Sequence, residues 1–157
     1  MKAVQYARFG GPEVLEVVDL PDPHPDPGQI RVAVRAAAVN PIDWKVRSGM
    51  MGGELPQTTG REAAGVVDEL GEGVQGVAVG DRAFGFVSGA GAAELAVLGD
   101  YAPTERAVHG LTDVGPLIES GRFSLPVAQT FPLERIGDAQ ALSQEGHVRG
   151  KLVVLVG

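Results

Sequence analysis

Short apolar stretches broken by glycine and proline fill the first hundred residues. Apolar and polar positions alternate most clearly around Ile30, Val32 and Val34, with Arg31, Ala33 and Arg35 between them. A period of two is the mark of a half-buried strand. By the same reading, strands are predicted over Ala3–Phe9, Val14–Val18, Ala63–Leu70, Arg82–Val87 and Ala92–Leu98, each bounded by turn residues. The proline-dense stretch from Pro21 to Gly28 cannot be helix or central strand, so it is a surface loop. Several short strands at regular turn spacing predict a small barrel or sandwich.

Between the strands lies one helical signal. Asn40 can cap it, Pro41 suits its first turn, and Asp43 stands where a carboxylate reaches back to free N–H groups. Asp43 and Arg47 are spaced as an i,i+4 pair, and Gly49 is a stop.

The pattern changes after residue 100. Tyr101–His109 has no period and reads as a connector. Thr112-Asp113 can cap a helix running to about Ser120. Val127–Phe131 reads as a strand. A second helix opens at Pro132 and stops near Gly146, with Ile136, Ala139 and Leu142 on one face. Lys151–Val156 is an almost continuous apolar run. It predicts a buried closing strand against the N-terminal sheet, so that two chain segments make one domain. The expected organisation is a single domain over 1–157, with 1–100 and 110–157 joined by a connector at 101–109.

Composition narrows the chemistry. The net charge of −7 disfavours nucleic acid and anionic membranes as partners. No cysteine is present, which removes disulfides and thiolate metal sites. His24, His109 and His147 lack metal-ligand spacing. No signal sequence or membrane-length apolar run is visible, so the default compartment is the cytoplasm. The preference for arginine over lysine, with abundant alanine and glycine, hints at a bacterial source.

Gly71-Glu72-Gly73-Val74-Gln75-Gly76 satisfies a GxGxxG pattern. A dinucleotide loop must open a helix, whereas Val77–Asp81 runs toward another turn. A hairpin connection is the expectation here.

Taken together, Asn40…Asp43…Arg47…Gly49, Gly60-x-Glu62-x-x-Gly65, Gly71-x-Gly73-Val74 and Gly80-Asp81 resemble the N-terminal signature of the medium-chain dehydrogenases/reductases. Ile118–Arg122, Thr130–Leu133 and Gly146–Val153 resemble that family's C-terminal segment. Ala38 and Ala83 stand where glycine and valine are usual. The resemblance implies a mainly β fold with short helices, the GroES-like partly open barrel. Arg61 occupies a histidine-ligand position of the zinc alcohol dehydrogenases, which implies the zinc-independent quinone oxidoreductase type and no metal. In that family a nucleotide-binding domain separates the two blocks; here the short connector stands in its place.

The resemblance further implies NADPH as the family's cofactor, with none expected in this chain, and a quinone or enone as the small-molecule partner. It places Asn40 and Lys45 as catalytic residues beside nicotinamide and substrate. Trp44, Arg61 and Glu62 are placed around the substrate pocket, Trp44 as a packing residue and Arg61–Glu62 as a structural pair. A monomer or weak self-association is expected. Three functions stay open: a catalytic domain without turnover by itself, a reductase that binds NADPH weakly or borrows a cofactor domain, and a non-enzymatic interaction module.

Overall fold

The computed structural model describes residues 1–87, 89–103, 117 and 120–157. Its organising element is the long strand β3 (Ile30–Val39), whose alternating sequence buries Ile30, Val32, Val34, Ala37 and Val39. Along one edge β3 pairs antiparallel with β5 (Glu62–Leu70), from Ile30↔Leu70 to Ala37↔Ala63. Its other edge is shared. The first half, Ile30–Ala33, pairs with β7 (Leu95–Pro103). The second half, Ala36–Val39, pairs with β9 (Lys151–Leu155).

β5 also pairs with β6 (Arg82–Val87), and β6 with β7, so β3, β5, β6 and β7 close on one another. The seam lies where β3 passes from β7 to β9. β8 (Val127–Pro132) extends the sheet parallel to β9. A smaller sheet places β1 (Lys2–Tyr6) between β2 (Glu16–Asp19) and β4 (Gln57–Thr58). This is the mainly β, partly open GroES-like architecture.

Two helices flank the barrel: α1 (Pro41–Arg47) follows β3 directly, and α2 (Ile136–Glu145) packs against α1, β8 and β9. Ile136 and Ala139 are buried and Leu142 packs at the core's edge, which is the apolar face the sequence predicts. No helix among the described residues is long and apolar enough to cross a membrane.

Several boundaries differ from expectation. The first strand stops at Tyr6, and a 3-10 turn over Pro12–Val14 delays the second to Glu16. β7 starts at Leu95 and runs through Pro103, absorbing the first residues of the predicted connector. Its pairing with β6 holds those residues extended, which sequence without period could not signal. Connector residues 104–109, and the helix predicted after Thr112 apart from Leu117 and its end at Ser120, lie outside the described residues. The closing strand pairs with β3 as expected, but it is buried on one face only: Leu152, Val154 and Val156 are inside, whereas Leu155 is exposed.

The glycine-rich turn connects β5 to β6 and opens no helix. Gly71 is required there by a close approach, since a Cβ would stand 2.0 Å from the carbonyl oxygen of Asp26.

Candidate functional site

The site forms where β3 ends and α1 begins. Asn40 is the N-cap in extended conformation, and its backbone N–H donates to the Asp43 carboxylate at 2.7 Å. That bond satisfies the helix entrance from the backbone side, and the Asn40 side chain reaches toward β5 and β9. Its Nδ2 donates to Glu62 Oε2 at 3.1 Å, and its Oδ1 accepts from Lys151 Nζ. Lys151 Nζ also lies 3.4 Å from Glu62 Oε2. Three strands thus deliver three side chains to one corner: Asn40 from the end of β3, Glu62 from the start of β5 and Lys151 from the start of β9.

Register explains the meeting. Val39 pairs with Leu152, so the preceding Lys151 is carried to the level of Asn40. Ala37 pairs with Ala63, so Glu62 arrives there from the opposite edge of β3. Gly60 sets the entrance to β5 with φ +87°, and a Cβ there would lie 2.4 Å from the Ala92 amide nitrogen. Only glycine suits that combination of left-handed backbone and close approach.

Asp43 is buried. Burial pushes its carboxyl above the ordinary range, against the opposing pull of the Asn40 and Gly60 amides and Arg61. The expected Asp43–Arg47 pair is not made. Arg47 instead turns into the protein, fully buried, and donates to Gln140 Oε1 at 2.7 Å, the Gly10 carbonyl at 2.6 Å and Gln144 Oε1 at 3.3 Å. Burial lowers its pKa, partly offset by the Glu13 charge. α1 packs on α2, whose Gln140 and Gln144 offer Arg47 acceptors in place of the in-helix pair.

The other expected residues separate. Arg61 and Glu62 do not pair with each other; Glu62 goes to Lys151 and Asn40, and Arg61 is exposed beside a small polar cavity of about 120 Å³. That cavity also touches Tyr6, Asp43 and Gln57, with the Tyr6 hydroxyl donating to Gln57 Oε1 at 2.6 Å. Neighbours along an extended chain point to opposite sides, which sends Arg61 and Glu62 apart. Lys45 sits over the Trp44 ring, 5.5 Å from its centroid. Trp44 Nε1 is buried and finds no hydrogen-bond partner among the described residues. Lys151 carries no functional signal in the sequence beyond its place at the head of an apolar strand. Among the described residues no cluster of three His, Cys, Asp or Glu side chains could hold a metal ion.

Beside the polar corner lies an open apolar groove of about 550 Å³. Glu62 forms its polar end, and Ala36, Ala38, Ala64, Phe84, Phe86 and Val153 supply most of its lining.

A partly closed barrel, with a helix springing from its longest strand, is the architecture of a GroES-like domain. Residues 26–124 match the family described as the alcohol dehydrogenase GroES-like domain, and the chain belongs to that family. The quinone oxidoreductase of Rattus norvegicus is 41% identical over 105 residues, covering 64% of this chain and 32% of that protein. The chain therefore spans about a third of the length of such relatives. Among solved structures, the quinone oxidoreductase from Coxiella burnetii superposes with a TM-score of 0.90 at 18% identity, covering 100% of this chain and 99% of that one. Escherichia coli quinone oxidoreductase complexed with NADPH superposes with a TM-score of 0.64 at 24% identity, covering 91% of this chain and 50% of that one. The family match and the fold identify a GroES-like domain of the alcohol dehydrogenase family, and the relatives it resembles are quinone oxidoreductases.

Proposed function

We propose that this chain is the substrate-side catalytic domain of an NADPH-dependent quinone or enone oxidoreductase, zinc-independent and cytoplasmic, with no turnover by itself. The observation that carries the reading is the Asn40–Glu62–Lys151 corner at the polar end of the apolar groove. A carbonyl compound needs an apolar bed for its carbon frame and a fixed donor for its oxygen. An ammonium has three N–H donors. Lys151 uses two on Asn40 and Glu62, which leaves one for a ligand oxygen. Glu62 balances the charge, and Asn40 bridges the two. Asn40 and Lys45 remain the residues implied by resemblance, and Lys151 joins them.

The described residues do not fit a whole dinucleotide. Their one GxGxxG turn leads into β6 and presents no helix N-terminus to a pyrophosphate. The reducing chemistry belongs to the cofactor, which a separate nucleotide-binding domain would have to carry. The test is NADPH oxidation with 1,4-naphthoquinone, using the chain alone and then with a nucleotide-binding domain from a related reductase added in trans. The expected result is background rate alone. Turnover by the chain alone would favour a self-sufficient reductase.

A further inference from the structure

β8 is the open end of the six-stranded sheet. Among the described residues it pairs with β9 alone, whereas β5 at the other end closes back onto β3. Its outer edge therefore presents backbone N–H and C=O groups to water or to another strand. Little covers it: Val127, Ala128, Gln129 and Thr130 are all exposed, and Leu125 just before the strand is 77% exposed. Sheet edges are commonly protected by charged side chains, lysine above all. Residues 123–133 carry no charge. Over the whole chain the net charge of −7 sets two copies against each other. This edge offers a second copy an approach without opposing charges, whereas a charged peptide strand would gain no ion pair from it.

We propose that β8 is a self-association edge, at which two copies of this chain join antiparallel across a two-fold axis into one continuous sheet. Proline sets the register. Pro126 and Pro132 bound the usable stretch, and neither has an N–H to give to a facing strand. Pairing centred between them puts Gln129 on the axis, facing its own counterpart. Val127 then stands opposite Phe131, and Ala128 opposite Thr130. The two-fold axis makes the arrangement self-complementary, since every contact is made twice. Leu125 and Val127, the latter 55% exposed, gain apolar cover. A six-residue strand buries less than the about 800 Å² per partner of a standard interface. Association is therefore weak, with a dissociation constant on the order of 100 µM.

Sedimentation of the full chain from about 10 µM to about 1 mM should show a monomer passing into a dimer. The chain has no cysteine, so Gln129→Cys places a single thiol on the axis. Cβ atoms directly opposite each other on antiparallel strands stand about 4.5–5.5 Å apart, close to the span of a disulfide. Under mild oxidation at about 100 µM, Gln129→Cys should crosslink at least about tenfold faster than Glu72→Cys, because pairing raises the local thiol concentration. Glu72 is the control because it is exposed in the turn between β5 and β6, away from β8. Val127→Lys should abolish the dimer and leave the melting temperature near wild type, since a lysine on an edge blocks pairing. Leu125→Lys, outside the strand, should weaken the dimer as well, which keeps the test valid should Val127→Lys fold poorly. A monomer throughout the concentration range, crosslinking of Gln129→Cys no faster than that of Glu72→Cys, or a dimer unaltered by both lysine variants overturns the proposal. These readouts are independent of carbonyl-ligand binding at Lys151.

Discussion

Lys151, on the last strand, donates a hydrogen bond to the side chain of Asn40, 111 residues earlier in the chain. The two are neighbours only because β9 pairs with the end of β3. The site thus depends on the pairing of the last strand with the end of β3. Its members are partly exposed, with side-chain exposures of 40% for Lys151 and 38% for Glu62. An ion pair so exposed contributes little to stability, about 1 kcal/mol or less. Lys151→Met should therefore leave the urea midpoint almost unchanged and abolish carbonyl-ligand binding. A large loss of stability would make Lys151 a structural residue.

The opposite balance is expected at Arg47. It is fully buried, and its guanidinium joins α1 to Gln140 of α2 and to the Gly10 carbonyl. Gln140 passes the connection on, donating to Thr59 Oγ1 at 3.0 Å. Hydrogen bonds to a charged group contribute about 1.5–3 kcal/mol, and an acceptor left buried without a donor costs a similar amount. Arg47→Met should lower unfolding free energy by about 3 kcal/mol in urea denaturation, and Arg47→Ala by more, because a cavity adds to the loss. A change under about 1 kcal/mol in both would show that the network is dispensable.

The barrel was largely legible from sequence, and the site only in part. Alternation at Ile30–Val34 and the apolar run at Leu152–Val156 mark strands whose burial the fold confirms on one face. Asn40 and Asp43 announce a helix start through local chemistry, and the structure realises it. Arg47 misled because i,i+4 spacing is a property of an isolated helix, whereas α2 offers Arg47 a buried set of acceptors. Sequence adjacency pairs Glu62 with Arg61, its neighbour along the chain. Its actual partner, Lys151, depends on register between β3 and β9, which no local pattern encodes.

The closing strand should be indispensable. Leu152, Val154 and Val156 are buried, and complete burial of such side chains contributes about 1.5–3 kcal/mol each. Their sum is comparable to the net stability of a domain, about 5–15 kcal/mol. A chain ending at Gly150 should be unfolded or insoluble by circular dichroism and gel filtration. A melting curve equal to that of the full chain would place the strand outside the core.

Asp43 should leave a mark on the pH dependence of stability. Its pKa is raised in the folded state, chiefly by burial. A raised folded pKa means that its favourable contribution is complete below the unfolded value, about 3.9, and is lost as pH rises through the folded value. Lowering pH from neutrality should therefore stabilise the wild type relative to Asp43→Asn, which keeps an acceptor for the Asn40 amide but does not titrate. Urea unfolding of both proteins at several values between about pH 4 and 7 measures the difference. A difference that stays flat, or one that grows in favour of the variant as pH falls, contradicts the burial argument.

The final prediction concerns the cofactor: this chain alone should not bind NADPH at micromolar concentration. Pyrophosphate is commonly held by backbone N–H groups at a helix N-terminus behind a glycine turn. Gly71–Gly76 is instead a link between two antiparallel strands. The net charge of −7 also repels a polyanion. A micromolar complex requires about 8 kcal/mol of binding free energy. If the nicotinamide end alone supplied about half of that, the dissociation constant would fall in the millimolar range. Calorimetric titration reads this directly, and Trp44, the single tryptophan, gives an independent optical signal on α1. Weak or undetectable heat up to about 0.1 mM NADPH is expected. Saturable binding at low micromolar concentration would show that the chain holds the dinucleotide without a second domain, and the trans-complementation reading would give way to a self-sufficient reductase.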